Sequence, residues 1–278
     1  MKSSPVALLV LAAPLFAQTP EYTAELLGPG VVINDMNASR AVVCRTLASG
    51  VLAFVAAPGG AYRILPLPPG YASAWAQGVN DAGVVVGSAA VGGFPEFGEA
   101  LAWTPDGQGG YTTQFLGALP GHTQSVAYDV NNRGDVVGVS IVPGFQGGPT
   151  VWFNSPTGVL DLSPMGAPSS PKEVNDGGVI VGISGALFDL DTLTATPLPA
   201  LPGNWNTFQG WAVNEANEVA GTAIVGSKRA AATWTAAGGW QTIGGLFNSS
   251  ASVQAFDLDG AGLTLVEMPQ PAAHFGGV

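Results

Sequence analysis

A nine-residue pattern returns along this chain and leaves few folds open to it. Val79-Asn80-Asp81-Ala82-Gly83-Val84-Val85-Val86-Gly87 is matched by residues Val130 to Gly138, Val174 to Gly182 and Val213 to Gly221. A first copy reads Ile33-Asn34-Asp35-Met36-Asn37 and a last reads Leu258-Asp259-Gly260-Ala261-Gly262. The anchors are Asn34, Asn80, Asn131, Asn175, Asn214 and Asp259, a mean period of about 45 residues. Self-similarity at this period is the mark of a repeat architecture, in which each copy is one supersecondary unit.

Each part of the pattern has a physical meaning. Asn or Asp followed three residues later by Gly or Asn is a type I turn whose last residue takes positive φ. The first side chain can accept a hydrogen bond from the turn's own backbone. Apolar residues flank the turn, so the unit is strand, tight turn, strand. The Gly inside the second strand (Gly87, Gly138, Gly182, Gly221) implies a bulge or the close approach of another backbone. A third strand ends near an aromatic, as in Leu101-Ala102-Trp103 and Ala186-Leu187-Phe188; the sixth copy would be Ala273-His274-Phe275. A fourth carries Leu, Pro and Gly, as in Phe115-Leu116-Gly117-Ala118-Leu119-Pro120-Gly121. Four strands per 45 residues is the size of one propeller blade.

The expected fold is therefore an all-β six-bladed propeller of four-stranded antiparallel blades. The last unit ends at Val278 without a fourth strand. Tyr22 to Gly28, before the first hairpin, matches the fourth strand Tyr111 to Gly117. That N-terminal strand is expected to close the last blade, removing an open sheet edge.

The composite Leu-Gly-x-Leu-Pro-Gly, then Ser-x-Ala-x-x-Val-Asn-x-x-Gly-x-Val-Val-Gly and Ala-x-x-Trp, is clearest between Leu116 and Trp152. It resembles the bacterial HAF-type extracellular repeat, over nearly all the chain after residue 17. The resemblance implies an extracellular repeat protein and carries no catalytic residue over to this sequence. Leu52 stands where the family's His-Ala-Phe signature has His, and the first and last copies depart: Ser39-Arg40 replaces the apolar pair and Val266 the second Gly.

Composition narrows function. The 278 residues carry a net charge of −11 with only 8 Lys and Arg, which are scattered. Phosphate backbones need clustered cations, so nucleic acid is excluded as a partner, and anionic membrane surfaces are disfavoured. Lys2, the apolar run Val6 to Phe16 and Leu15-Phe16-Ala17 read as an export signal over residues 1–17. Residues 18–278 then form a single propeller domain, secreted or periplasmic, with no membrane span and expected to be a monomer. Cys44, the single cysteine, excludes an internal disulfide and reads as a buried core residue.

Catalytic signatures are missing. His122 reads as an exposed loop residue and His274 as packing; there is no Gly-x-Ser-x-Gly elbow, no metal-ligand spacing and no cofactor loop. Asn-Asp pairs are explained as turns rather than Ca²⁺ sites, and Arg133-Gly134-Asp135 as a coincidental adhesion tripeptide built on a turn Gly. The loops opposite the Asn turns vary in length and carry aromatics: Tyr71, Trp75, Phe94, Phe97, Phe145, Trp205, Phe208 and Trp211. Together with His122, Tyr71, Trp75, Phe94, Phe145, Trp205 and Phe208 form the candidate ligand face, stacking on sugar rings or anchoring another extracellular protein. Trp75 and Trp211 sit close to the first strand and are also core candidates. Three readings follow: a non-catalytic binding module, a carbohydrate-active enzyme drawing on Glu96, Glu99 or Asp106, or a structural envelope component.

Overall fold

A computed structural model describes residues 31–39, 41–46, 52–56, 62–92, 98–142, 146–152, 158–183, 185–226, 228–243, 254–258 and 264–267. Blade 1 is β1 (Val31–Met36), β2 (Val42–Thr46), β3 (Ala53–Ala56) and β4 (Tyr62–Ile64). Blade 2 is β5 (Ser73–Val79), β6 (Val85–Ala90), β7 (Glu99–Pro105) and β8 (Tyr111–Phe115). Blade 3 is β9 (Gln124–Val130), β10 (Val136–Val142), β11 (Gln146–Trp152) and β12 (Val159–Asp161). Blade 4 is β13 (Pro171–Val174), β14 (Val179–Gly182), β15 (Ala186–Asp189) and β16 (Thr194–Pro197). Blade 5 is β17 (Thr207–Val213), β18 (Val219–Val225), β19 (Lys228–Thr235) and β20 (Gly239–Ile243). Every blade is an antiparallel meander in chain order.

The expected six four-stranded blades are corrected to five. The sixth unit contributes a two-stranded sheet, β21 (Gln254–Leu258) with β22 (Thr264–Glu267), packed against blade 5. Closure by an N-terminal strand is likewise overturned: among the described residues β22 pairs only with β21, and the first strand, β1, is the inner strand of its own blade. Residues 1–17 and 22–28, Asp259 and the third-strand candidate Ala273 to Phe275 lie outside the described residues.

The core lies in wedges between neighbouring sheets. Val43, Val55 and Leu65 of blade 1 or its exit loop pack with Val85, Leu101 and Trp103 of blade 2. Val86 and Ala102, on the other face of blade 2, pack with Val130, Val136 and Trp152 of blade 3. Val137 and Val151 then meet Ile180 and Phe188, and Val181 meets Val213 and Val219. Successive strand residues point to opposite faces. The Val-Val of the repeat thus exists because each sheet is buried on both faces, one valine against each neighbour.

The turns follow the sequence reading in detail. Gly83, Gly134 and Gly178 have φ of 77, 86 and 81°, and Asn217 takes the same region at 59°. The backbone N–H groups of Val84, Asp135, Val179 and Glu218 donate to Oδ1 of Asn80, Asn131, Asn175 and Asn214 at 2.8–3.0 Å. In blade 1, however, the turn asparagine is Asn37, whose Oδ1 accepts from Ala41 N–H at 2.9 Å; Asn34 belongs to the strand. With this register Val42-Val43-Cys44 aligns with Val85-Val86-Gly87, so Ser39 is a turn residue rather than a departure from the apolar pair.

Each inner strand carries a bulge opposite the repeat glycine. The extra residues are Asn34, Gln77, Tyr128, Lys172 and Trp211, with Phe256 at the same position in β21. A Cβ on Gly87, Gly138 or Gly221 would fall 1.8–2.1 Å from a carbonyl oxygen of the bulged strand, and one on Gly182 would fall 2.3 Å from that of Ser170, just before it. No side chain fits there, as the strand-interior glycines implied. Cys44 and Val266 occupy the equivalent register in β2 and β22.

Candidate functional site

Two features surround the propeller axis. The first is a ladder of buried asparagines that joins the blades. Nδ2 of Asn37 donates to the carbonyl of Asn80 at 3.0 Å, Asn80 to Asn131 at 3.1 Å, Asn131 to Asn175 at 3.0 Å and Asn175 to Asn214 at 2.9 Å. A parallel exposed ladder runs through the next residue. Backbone N–H groups of Ala38, Asp81, Asn132 and Asp176 donate to side-chain oxygens of Asp81, Asn132, Asp176 and Glu215. Among the described residues, each of blades 1–4 therefore grips the next through the same atoms.

The second feature is the set of bulge residues. Asn34, Gln77, Tyr128, Lys172 and Trp211 are all half-buried, and in β5 the bulge residue Gln77 is the sole position not fully buried. Inner strands of successive blades contact one another, so these residues form a collar around the axis. Asn34 Nδ2 donates to the carbonyl of Ala76 in blade 2. Lys172 Nζ lies 4.1 Å from the Tyr128 ring centroid and 5.3 Å from that of Trp211, so one ammonium is shared by aromatics of both flanking blades. Burial alone holds the Lys172 ammonium below the ordinary lysine range. Trp211 Nε1 donates to Thr222 Oγ1 at 3.2 Å, which fixes its ring.

The sequence-derived candidates separate. Trp75 and Phe208 are buried, and Phe208 packs edge-on against Trp240 at 4.7 Å. Trp205 is half-buried against the blade 4–5 wedge. Tyr71 is half-buried, stacks on Phe115 at 5.1 Å and donates to Glu99 Oε1 at 2.6 Å; that bond pushes its phenol up to about 12. His122 is half-buried in the loop between blades 2 and 3 rather than exposed, with a buried Nδ1 that has no hydrogen-bond partner. Phe94, Phe97, Phe145, Glu96 and His274 lie outside the described residues. Tyr71, His122 and Trp205 sit in three different inter-blade loops. Of the collar, only Trp211 was among the sequence-derived aromatics; the signal for Gln77, Tyr128 and Lys172 was the repeat glycine, which pairs with the residue just before each of them, and blade 1 has Cys44 in its place.

Other motifs resolve on their geometry. Asp135 of Arg133-Gly134-Asp135 is buried, and its carboxylate meets Arg133 Nε at 2.9 Å and Asn131 Nδ2 at 3.2 Å, so the tripeptide is not displayed for recognition. Arg133 also binds Asp191 in the β15–β16 turn of blade 4 at 2.7 Å. Cys44 is fully buried, and desolvation pushes its thiol up to about 11. Glu99 opens β7 while Asp106 follows its end, a separation of roughly 23 Å at the usual rise per strand residue. Asp106 also accepts the backbone N–H groups of Gln108 and Gly110 in its own turn, which lowers its carboxyl. Among the described residues no cluster of His, Cys, Asp or Glu could hold a metal ion, and no helix is long and apolar enough to cross a membrane.

The architecture is shared with solved structures. TolB from Acinetobacter baumannii superposes with a TM-score of 0.54 at 11% identity, covering 76% of this chain and 53% of TolB. The fold is a β-propeller. This chain spans about half the length of that protein, and at this identity the likeness concerns fold alone. A second similar structure, YCF48 bound to D1 peptide, has a TM-score of 0.47 at 12% identity over 88% of this chain and 79% of that one. No protein-family model and no curated protein matches the sequence.

Proposed function

We propose that this chain is an exported, non-catalytic binding module that recognises its ligand at the inner collar. One observation carries the reading. The frame repeats the same contacts in every blade, yet the bulge position holds five different side chains: Asn34, Gln77, Tyr128, Lys172 and Trp211. A uniform scaffold that presents non-uniform, solvent-reached polar and aromatic groups has the composition of a recognition surface, in which rigid aromatic anchors supply affinity and polar groups orientation. The leader-like residues 1–17 and the resemblance to HAF-type extracellular repeats support secretion or delivery to the periplasm. The partner is a carbohydrate or another extracellular protein, met by a monomer. Aromatic loop residues Tyr71 and Trp205 supply the outer rim of the same module.

The enzyme alternative loses its best described pair. Glycosidic chemistry needs carboxyl groups roughly 5–10 Å apart. Glu99 and Asp106 stand at opposite ends of one strand. Screening the secreted protein on glycan and extracellular-protein arrays, with hydrolysis followed in parallel, tests the proposal. Retention without turnover is expected, reduced at least tenfold in Gln77→Ala and Trp211→Leu. Turnover of a retained sugar, or retention unaffected by both variants, would overturn it.

A further inference from the structure

We propose that Lys172 is the anchor for a carboxylate group of the ligand; this rests on the binding-module reading and names the chemistry its collar selects. An ammonium has three donors and no acceptor. Lys172 Nζ faces two aromatic rings, from blades 3 and 5, which stabilise positive charge through their faces but supply no counter-anion. Among the described residues it makes no ion pair. Asp129, beside Tyr128 on the neighbouring inner strand, is already committed: its Oδ1 accepts Val130 N–H at 2.7 Å and its Oδ2 accepts Val174 N–H at 2.8 Å. A half-buried cation without an anion is an unmet electrostatic demand, and an incoming carboxylate satisfies it with charge-assisted hydrogen bonds.

The surroundings restrict the anion. With a net charge of −11, the chain repels polyanions at long range, so a singly charged group is favoured. Tyr128 and Trp211 flank the ammonium with flat apolar faces, suited to a carboxylate attached to an apolar or ring-shaped body. Gln77 and Asn34 lie on the same collar. A uronic acid and a peptide C-terminus share this chemistry.

The sequence contains only three lysines, Lys2, Lys172 and Lys228, which makes the site readable by NMR. Protein carrying [13Cε,15Nζ]lysine is titrated with glucuronate and with N-acetyl-Gly-Phe, at constant ionic strength set by chloride. Glucose and N-acetyl-Gly-Phe-amide serve as neutral counterparts, and loss of a signal in Lys172→Arg assigns it. A saturable shift of Lys172 with at least one carboxylate, absent for both neutral compounds and for Lys228, is expected; the arm that saturates identifies the source. An unmoved Lys172 signal, or equal shifts from the neutral compounds, would overturn the proposal. If that occurs while Gln77→Ala and Trp211→Leu still reduce retention on the arrays at least tenfold, the carboxylate assignment alone falls. If the variants also leave retention unchanged, the collar reading falls with it.

Discussion

Nδ2 of Asn80 donates to the main-chain carbonyl of Asn131, 51 residues further along the chain, at 3.1 Å, inside the protein. Asn131 in turn holds its own turn through Oδ1 and reaches Asn175 through Nδ2. One side chain thus closes a hairpin and joins two blades. Asn131→Ala removes these two bonds and the one from Nδ2 to the Asp135 carboxylate, and leaves the buried carbonyl of Asn175 without this donor, a loss of about 2–3 kcal/mol. Chemical denaturation should show the midpoint falling with the m-value unchanged. A loss below about 0.5 kcal/mol would mean that the ladder does not couple the blades.

The repeat glycine of the second strand is required by space rather than by dihedral angle. A Cβ on Gly138 would lie 2.0 Å from the carbonyl oxygen of Val126, which is backbone and cannot step aside. Gly138→Ala is expected to destabilise by about 2–3 kcal/mol, within the range for overpacking. Gly92→Ala, with open space around it and no positive φ, should change stability by less than about 0.5 kcal/mol.

Lys172 gives stability a pH signature. Its folded value lies below the ordinary 10.5, so between the two values the unfolded chain binds more protons. Stability rises with pH across that window, because the penalty of the buried ammonium is fully present below it and is relieved above it. Lys172→Met removes the penalty, so the variant should be more stable than the parent near neutral pH, with the gap closing as pH approaches 10.5. Cys44 and Tyr71 titrate higher in both proteins and cancel in the difference. A gap independent of pH would contradict the assignment.

Cys44 reports on blade 1. It is fully buried, and its thiol is pushed up to about 11, so both access and thiolate are scarce at neutral pH. A disulfide reagent should label it orders of magnitude more slowly in native protein than in denaturant. Comparable rates would mean that blade 1 opens readily.

Much of this fold is legible in the sequence because the repeat encodes local rules. Gly83, Gly134 and Gly178 mark positive φ, and Gly87 and Gly138 mark the bulge. Asn34 misleads because Asn34-Asp35-Met36-Asn37 offers two asparagines three apart, while the real turn opens at Asn37 and the sequence that follows it, Ala38-Ser39-Arg40, holds no glycine. Cys44, standing where other blades have glycine, hides the register further. The count of six came from the spacing of anchors, which registers that a unit begins but not how many of its strands pair. The asparagine ladder was illegible, since its acceptors lie 39–51 residues away and are set by how blades stack. Trp75 and Phe208 turned inward for the same reason: an aromatic beside a strand can face either solvent or the neighbouring sheet.

Recognition by a non-uniform collar on a uniform frame is tested most directly by making four of its five positions alike. Tyr128→Gln, Lys172→Gln and Trp211→Gln together reproduce in three blades the residue already present at Gln77. Thermal unfolding and array retention are then measured on the same protein. The expected result is a melting temperature within a few degrees of the parent and retention lost at least tenfold. Unchanged retention, with the fold intact, would contradict it.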